Sequence, residues 1–240
     1  QWTSVYNSPS GGADTLHGMT TDPLSGDLIV FGSARFSLNS ITEIQTIKFS
    51  AGLGQVLWVK RTSGTAPNAF NKIYGYDVSP AGDVYICGQF TNNTTGLDGF
   101  LIRYNTAGNE LYRKIYNYKG GATEESIYSV DAGTVNEPLI AGTRSARQQT
   151  FVHKYSTSGG LSWKYEFNDS LNQFTELPVG IDRGQGNSLF IVNNYSTASL
   201  ADINVTTFDN IAVNYTTLCR SVNLTTVPGS NIYDTINVNT

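Results

Sequence analysis

An internal repeat is the feature that most restricts the fold of this chain of 240 residues. An aromatic residue recurs roughly every 50 residues, a period typical of repeat architectures. This series consists of Trp2, Trp58, Tyr112, Trp163 and Tyr215. A second aromatic series keeps the same spacing, and it consists of Phe49, Tyr104, Tyr155 and Phe208. Two series in one register indicate that the chain is built from copies of a single unit.

The clearest copy runs from Ile73 to Tyr118 and predicts four short β-strands. Each strand is rich in aromatic and β-branched residues and is bounded by a turn of Pro, Gly, Asn or Asp. The predicted strands are Tyr74–Val78, Val84–Phe90, Gly99–Tyr104 and Glu110–Tyr116. Four such strands in succession form an antiparallel meander, and a repeated meander is the signature of a β-propeller blade. We therefore expect an all-β fold, a β-propeller made of four-stranded antiparallel blades.

The repeat also predicts the organisation of residues 1–240 as one propeller domain or propeller segment. Four full blades are expected at about 14–62, 73–118, 125–168 and 174–219. Residues 1–7 are expected to form the fourth strand of another blade, and residues 230–240 a first strand. First and fourth strands of a blade do not touch, so a longer polypeptide or a partner chain would supply the strands between them. A five-bladed ring with a degenerate last blade is the alternative.

The recurring aromatic residues are expected to pack between blades. These blade-packing residues are Trp2, Trp58, Tyr112, Trp163 and Tyr215.

Composition excludes several classes of partner. Charged residues make up 14% of the chain, against roughly 25% in an average soluble domain. The formal net charge is -4, and the basic residues are scattered along the sequence, which argues against a nucleic-acid groove or an anionic membrane surface. No apolar run approaches the roughly 18 residues of a membrane span. Ser, Thr and Asn keep the surface polar, as in extracellular β proteins, so we expect an extracellular or cell-surface location.

The runs DVSPAGDVYICGQF and DGFLIRYNTAGNELYRKIY carry a resemblance to a known repeat. They resemble the β-propeller repeats of the SBBP type, which occur in many secreted and surface-attached proteins. The matching segments are Gly82–Gly88, Asp98–Tyr104 and Gly108–Tyr112. The third copy departs from the pattern by replacing the Gly-Asp turn with Asn136-Glu137-Pro138. The resemblance implies a repeat architecture in a secreted protein, and function transfers poorly with it.

The few residues that could bind metals or act as nucleophiles occupy repeat positions. Cys87 and Cys219 replace apolar residues of other copies and lie in blades that are not adjacent, so we expect buried thiols rather than a disulfide. A bond from Cys219 to a neighbouring chain is the alternative. His17 and His153 also fall at repeat-defined positions, and no zinc-ligand spacing or catalytic motif is present. The sequence therefore predicts no cofactor, no metal and no enzymatic activity.

The acceptor pattern Asn-x-Ser/Thr recurs along the chain and marks candidate N-glycosylation sites. The sites are Asn92, Asn93, Asn168, Asn194, Asn204, Asn214 and Asn223. Asn92 and Asn93 are expected in a long exposed loop between a second and a third strand. Chance matches are also expected, because Asn, Ser and Thr are abundant. In a eukaryotic source, some of these sites would carry glycans.

Two functions from different classes fit this sequence. The first is a non-catalytic structural or adhesive module of an extracellular or cell-surface assembly, such as a filament, sheath or matrix. Its partners would be other protein chains, either copies of itself or a longer parent chain. The alternative is a propeller that binds or processes carbohydrate in its central loop mouth. Exposed aromatic residues and carboxylates at that mouth would favour the alternative.

Overall fold

The structure is a computed structural model that describes residues 1–8, 12–35, 42–66, 69–118, 123–144, 149–166, 175–183, 188–196, 201–209 and 220–224. These residues form sixteen β-strands and no helix. The strands make four antiparallel sheets of four strands each, and strands that follow one another in the chain are neighbours in the sheet. The all-β class and the four-stranded antiparallel sheets are therefore as predicted.

The strands have the following bounds. The first sheet contains β1 (Asp14–Thr21), β2 (Leu28–Arg35), β3 (Thr42–Phe49) and β4 (Val56–Thr62), and the second contains β5 (Lys72–Val78), β6 (Val84–Asn92), β7 (Gly96–Tyr104) and β8 (Glu110–Tyr116). The third sheet contains β9 (Ser126–Asp131), β10 (Leu139–Arg144), β11 (Gln149–Tyr155) and β12 (Leu161–Glu166). The fourth contains β13 (Thr175–Arg183), β14 (Ser188–Ser196), β15 (Ala201–Asp209) and β16 (Arg220–Leu224).

The second sheet confirms the four strands predicted from its sequence, with one correction. The long exposed loop expected around Asn92 and Asn93 is wrong, because β6 and β7 continue as a hairpin up to the pair Asn92↔Gly96. Gly96 has a φ of 82°, a left-handed conformation that glycine adopts without steric cost. This glycine allows a tight turn, so both strands are longer than predicted.

A β-bulge recurs in the first strand of every sheet. The extra residue is His17, Tyr74, Tyr128 or Val179, and it lies opposite the middle of the second strand in each case. A bulge leaves one residue unpaired and increases the local twist. Its recurrence shows that the four sheets are copies of one structural unit, including the fourth, whose sequence markers are the weakest.

The turn between the first and second strands is also repeated. Gly26, Gly82 and Asn136 hold the same place in three sheets and have φ values of 72°, 79° and 58°. Asparagine is one of the few residues with a side chain that tolerate this left-handed region. The Asn136-Glu137-Pro138 departure in the third copy therefore keeps the conformation of the glycine turn.

A cation on the third strand pairs with an acid in or beside this turn. Lys48 Nζ lies 2.6 Å from Asp22 Oδ2, Arg103 Nη2 lies 2.5 Å from Asp83 Oδ2, and Lys154 Nζ lies 2.9 Å from Glu137 Oε2. Burial opposes the charged form of Asp22, but hydrogen bonds from Lys48 and the Leu24 N–H hold its pKa below the ordinary value. These pairs tie the third strand to the turn in three successive sheets.

The sheets pack face to face, and alternate residues of one strand serve opposite interfaces, as the period of a strand requires. Ile29, Phe31 and Ile44 of the first sheet pack against a face of the second sheet formed by Val84, Ile86, Phe90, Phe100, Ile102 and Tyr104. The other face of the second sheet, with Tyr85, Cys87 and Leu101, packs against Ile127, Ile140 and Phe151 of the third sheet. Leu139, Ala141 and Val152 of the third sheet pack against Ile181, Leu189 and Ile191 of the fourth. The first strands β5, β9 and β13 contact one another in series.

The two ends of the chain differ from the sequence expectation. The fourth strand of the fourth sheet is Arg220–Leu224, whereas the repeat predicts it around Tyr215, in a blade that ends at about 219. The fourth copy lacks the glycine that closes the preceding hairpin in other copies, so residues 210–219 separate β15 from β16. Residues 1–8 form no strand, because no described strand lies beside them to pair with. Tyr215 and residues 230–240 lie outside the described residues.

Candidate functional site

One face of the first sheet forms an apolar groove of about 340 Å³. The residues that we call the open face share this side of the sheet and are Leu16, Met19, Leu28, Val30, Ile47 and Phe49. Cross-strand pairing places Met19, Val30 and Ile47 in one row, because Val30 pairs with both of the others. Residues that pair directly across antiparallel strands lie on the same side of a sheet. The open face is thus a continuous surface across β1, β2 and β3.

The same face is covered in the other sheets. Met19 corresponds to Tyr76, Val130 and Ile181, because each follows the residue next to the bulge. Tyr76 stacks on Phe31 of the first sheet at 4.1 Å between ring centroids, and Val130 and Ile181 are only 6% and 7% exposed. Met19 is 62% exposed, and Leu16 beside it is 63% exposed. The first sheet therefore presents an interface that has no neighbouring sheet among the described residues.

The outer part of the open face lies beneath residues 1–8, and Ile47 and Phe49 are only 6% and 7% exposed there. Trp2 donates a hydrogen bond from Nε1 to the Ala51 carbonyl oxygen at 2.9 Å, and Trp58 donates to the equivalent carbonyl of Thr106 at 3.1 Å. Trp2 also lies against Gly54, where an added Cβ would be 2.3 Å from its ring. Trp58 makes the corresponding approach to Gly108, where the distance would be 2.9 Å. Trp2 thus repeats, on the first sheet, the contact that Trp58 makes with the second.

A second contact, at the other end of residues 1–8, also has an equivalent between the first and second sheets. The Ser8 N–H donates to Asp14 Oδ2 at 3.0 Å, and the Gly64 N–H donates to Asn71 Oδ1 at 3.1 Å. Tyr6 accepts a hydrogen bond from Arg61 at 3.0 Å. Residues 1–8 therefore lie where the fourth strand of a preceding sheet would lie, with Trp2 36% exposed.

The other recurring aromatic residues are placed as follows. Tyr112 lies against Gly159, where an added Cβ would be 2.9 Å from its ring. Trp163 is buried in the cluster between the third and fourth sheets. Tyr215 lies outside the described residues.

The candidate glycosylation sites differ in their surroundings. Asn92 is half-buried, and its side chain donates to Asp98 Oδ2 at 2.5 Å and accepts from the Thr65 N–H at 3.0 Å. Asn93 is exposed, and its amide donates to the Thr65 carbonyl oxygen at 3.0 Å. Asn194, Asn204 and Asn223 lie in β14, β15 and β16. Asn168 and Asn214 fall outside the part of the chain that the structure describes.

The cysteine and histidine residues do not form a site in the described part of the chain. Cys87 is a buried free thiol, as its repeat position predicts, and burial raises its pKa well above the ordinary value. Cys219 lies outside the described residues. His17 Nε2 lies 3.0 Å from Ser33 Oγ, and burial followed by the charge of Lys72 lowers its pKa. His153 is buried against the rings of Phe151 and Tyr116.

Within the described ranges, no group of three or more His, Cys, Asp or Glu residues could hold a metal ion. No helix of the described structure is long and apolar enough to cross a membrane.

No protein-family model matches the chain, and no curated protein sequence is significantly similar to it. The SBBP resemblance therefore depends on the repeat residues alone. The strongest candidate for a functional surface is the open face, which sequence reasoning did not locate. The repeat contains a signal for it, since Met19 falls at the place of Tyr76 and no described sheet precedes the first one to cover it.

Proposed function

We propose that this chain is a non-catalytic structural or adhesive module of an extracellular or cell-surface assembly, such as a filament, sheath or matrix. The open face of the first sheet is the observation that carries this proposal. Leu16 and Met19 of this face are 63% and 62% exposed, and exposed apolar patches mark sites where another macromolecule binds. Within the chain, the same surface is used three times to pack one sheet on the next. The module therefore binds a protein partner through the same contacts that build its core.

We further propose that the four sheets are blades of a β-propeller or propeller segment. Three observations support this arrangement: the four-stranded meanders, the serial contacts of first strands and the face-to-face packing of successive sheets. The bulge shared by all first strands adds twist at equivalent positions, as blades arranged around one axis require.

The proposed location rests on the sequence. Low charge, a surface rich in Ser, Thr and Asn, and the SBBP-like repeats are typical of secreted β proteins. Asn93, exposed in a tight turn, is the described acceptor site best placed to carry a glycan.

Immunogold electron microscopy on the cells that produce the chain tests this function. We expect gold particles on the cell exterior or on extracellular fibres and layers, with regular spacing where the module repeats. Label confined to the cell interior would refute the proposal. A label outside the cell but on dispersed single particles would refute the assembly role.

One observation favours carbohydrate binding as a second candidate. The bulge residues Tyr74 and Tyr128 are half-exposed, and their ring centroids lie 4.8 Å apart on neighbouring first strands. Half-exposed aromatic rings of this kind suit stacking on the faces of sugars. A glycan array tests this candidate, which predicts binding that Tyr128→Ala abolishes and Tyr116→Phe leaves intact.

A further inference from the structure

We propose that copies of this chain associate head to tail, with the fourth sheet of one copy packing on the open face of the next. This inference rests on the proposed function, because it names a second copy of the chain as the protein partner. Three lines of observation support it: the repeated internal interface, the residues at the matching register of the fourth sheet, and the position of residues 1–8.

The internal interfaces define what covers a face of this type. The open face of the first sheet corresponds to the face of the second sheet that packs against Ile29, Phe31 and Ile44. In the second sheet, this face is covered by the opposite face of the preceding sheet, which is another copy of the same repeat. Each sheet of the repeat presents an equivalent face with the same strand order and strand spacing.

The fourth sheet has the matching residues at the required positions. Val192 pairs with Val205 as Phe31 pairs with Thr46, and Asn194 pairs with Ile203 as Ser33 pairs with Ile44. This register gives the fourth sheet four apolar residues, Phe190, Val192, Ile203 and Val205, at the positions of Ile29, Phe31, Ile44 and Thr46. No sheet follows the fourth one among the described residues. The described sheets therefore carry both halves of the interface, one on the first sheet and one on the fourth.

Residues 1–8 determine how the two halves meet. They already hold the fourth-strand place above the open face, so an arriving sheet fills the places of the first three strands. Residues 1–8 then lie beside β15 of that sheet, where β16 pairs in the isolated chain. The described pairing of β16 with β15 runs from Thr207↔Arg220 to Ile203↔Leu224. We expect residues 1–8 of the copy that carries the open face to replace β16 of the arriving copy, which keeps the backbone hydrogen bonds of β15 satisfied.

The interface joins two different surfaces and is therefore heterologous. Heterologous contacts give closed rings when the rotation between copies closes, and open filaments when it does not. Either product can form regular arrays from a single type of chain.

Sedimentation velocity of the purified chain tests the proposal. We expect oligomers to form as the concentration rises from about 1 μM to about 1 mM, the range of Kd typical of moderate to weak interfaces. Val30→Lys alters the open face and Val205→Lys alters the fourth sheet. Each should raise the apparent Kd by at least about 100-fold, because it places an unpaired charge in an apolar interface. Val135→Lys, at a 60% exposed turn position of the third sheet, is the matched control and should associate normally.

Mixing the two altered chains distinguishes this geometry from a symmetric one. The Val30→Lys chain keeps its fourth sheet and the Val205→Lys chain keeps its open face, so together they should form dimers that do not grow. Circular dichroism and chemical unfolding establish that each altered chain is folded. If Val205→Lys does not fold, Val30→Lys added to unsubstituted chains replaces it, since it should shorten their oligomers by capping one end.

A chain that stays monomeric over this concentration range would overturn the proposal. Association that Val30→Lys leaves unchanged, or a mixture of folded altered chains that fails to form dimers, would also overturn it. These failures are separable from failure of the proposed function. Regular extracellular arrays in the native material, combined with a monomeric purified chain, would keep the structural function and exclude self-association.

Discussion

Met19 and Tyr76 hold the same place in two copies of one repeat, and their surroundings differ completely. Tyr76 stacks on Phe31 of the preceding sheet, whereas Met19 is 62% exposed. The strands beneath them have the same bulge, the same turn conformation and the same alternation of residues. The two places differ because a described sheet precedes the second sheet and covers Tyr76, whereas no described sheet precedes the first one. Burial in this molecule is thus a property of the stack, since no single sheet contains a core of its own.

The largest effect is expected where a preceding sheet is present. Phe31→Ala should lower the free energy of unfolding by about 3–5 kcal/mol, because it leaves a cavity between the first and second sheets. Phe31 is fully buried there. Chemical denaturation measures the change, and Val30→Ala on the open face of the same strand is the control, with an expected cost below about 1 kcal/mol. Equal costs at the two positions would mean that the two faces are equally packed.

A second comparison concerns the two tryptophans that make equivalent contacts. Trp58→Ala should cost about 2–4 kcal/mol, because Trp58 packs against the core between two complete sheets. Trp2→Ala should cost about 1 kcal/mol, because its segment has no paired strand beside it. Thermal and chemical unfolding of both altered chains measure the difference. A larger cost for Trp2→Ala than for Trp58→Ala would contradict the assignment of residues 1–8 to an incomplete sheet.

A third effect depends on pH and reports on the covered side of the first sheet. Asp22 has a lowered pKa and pairs with Lys48, so the ionised carboxylate stabilises the fold above the unfolded pKa of about 4. That contribution is lost as the pH falls through the lower folded pKa. Asp22→Asn should therefore cost about 1–3 kcal/mol near neutral pH and progressively less in acid.

Unfolding curves across the acid range measure this dependence. Glu110→Gln is the control, because Glu110 forms an exposed pair with Arg113 and exposed pairs contribute about 0–1 kcal/mol. A cost of Asp22→Asn that stays constant down to low pH would show that the pair with Lys48 does not stabilise the fold.

The smallest effect is expected for a polar substitution on the open face. Val30→Thr keeps the shape of the side chain and should change the stability of the isolated chain by less than about 1 kcal/mol, because the position is only half-buried. Ile29→Thr, one residue earlier and fully buried, should cost more than about 2 kcal/mol, since it places a hydroxyl in an apolar interface. The two substitutions sharpen the comparison, because they fall on opposite faces of one strand.

The sequence was sufficient to predict the strands and the sheets. Aromatic and β-branched residues alternate within each predicted strand, and turn residues separate them, so β6 and β8 begin where the sequence predicts. These features depend on neighbours in the chain. The weakest prediction was β16, where the fourth copy lacks the glycine that fixes the hairpin in other copies.

Features that depend on contacts between sheets could not be predicted as well. Lys48, Arg103 and Lys154 are aligned in the repeat, yet their pairing with turn acids depends on burial by the neighbouring sheet. The open face also depends on contacts between sheets, because its apolar residues are uncovered where no neighbouring sheet is described. Val30 and Ile86 are equivalent apolar residues of second strands, and only the structure shows which of them has a covering sheet.

The rate of Met19 oxidation tests the central claim most directly, because Met19 is the only methionine of the chain. Peroxide converts methionine to the sulfoxide at a rate that follows exposure, and mass spectrometry of the intact chain measures it. We predict fast oxidation in the dilute purified chain and oxidation slowed severalfold in the native assembly, where another sheet covers the open face. Equal rates in the two samples would contradict the account.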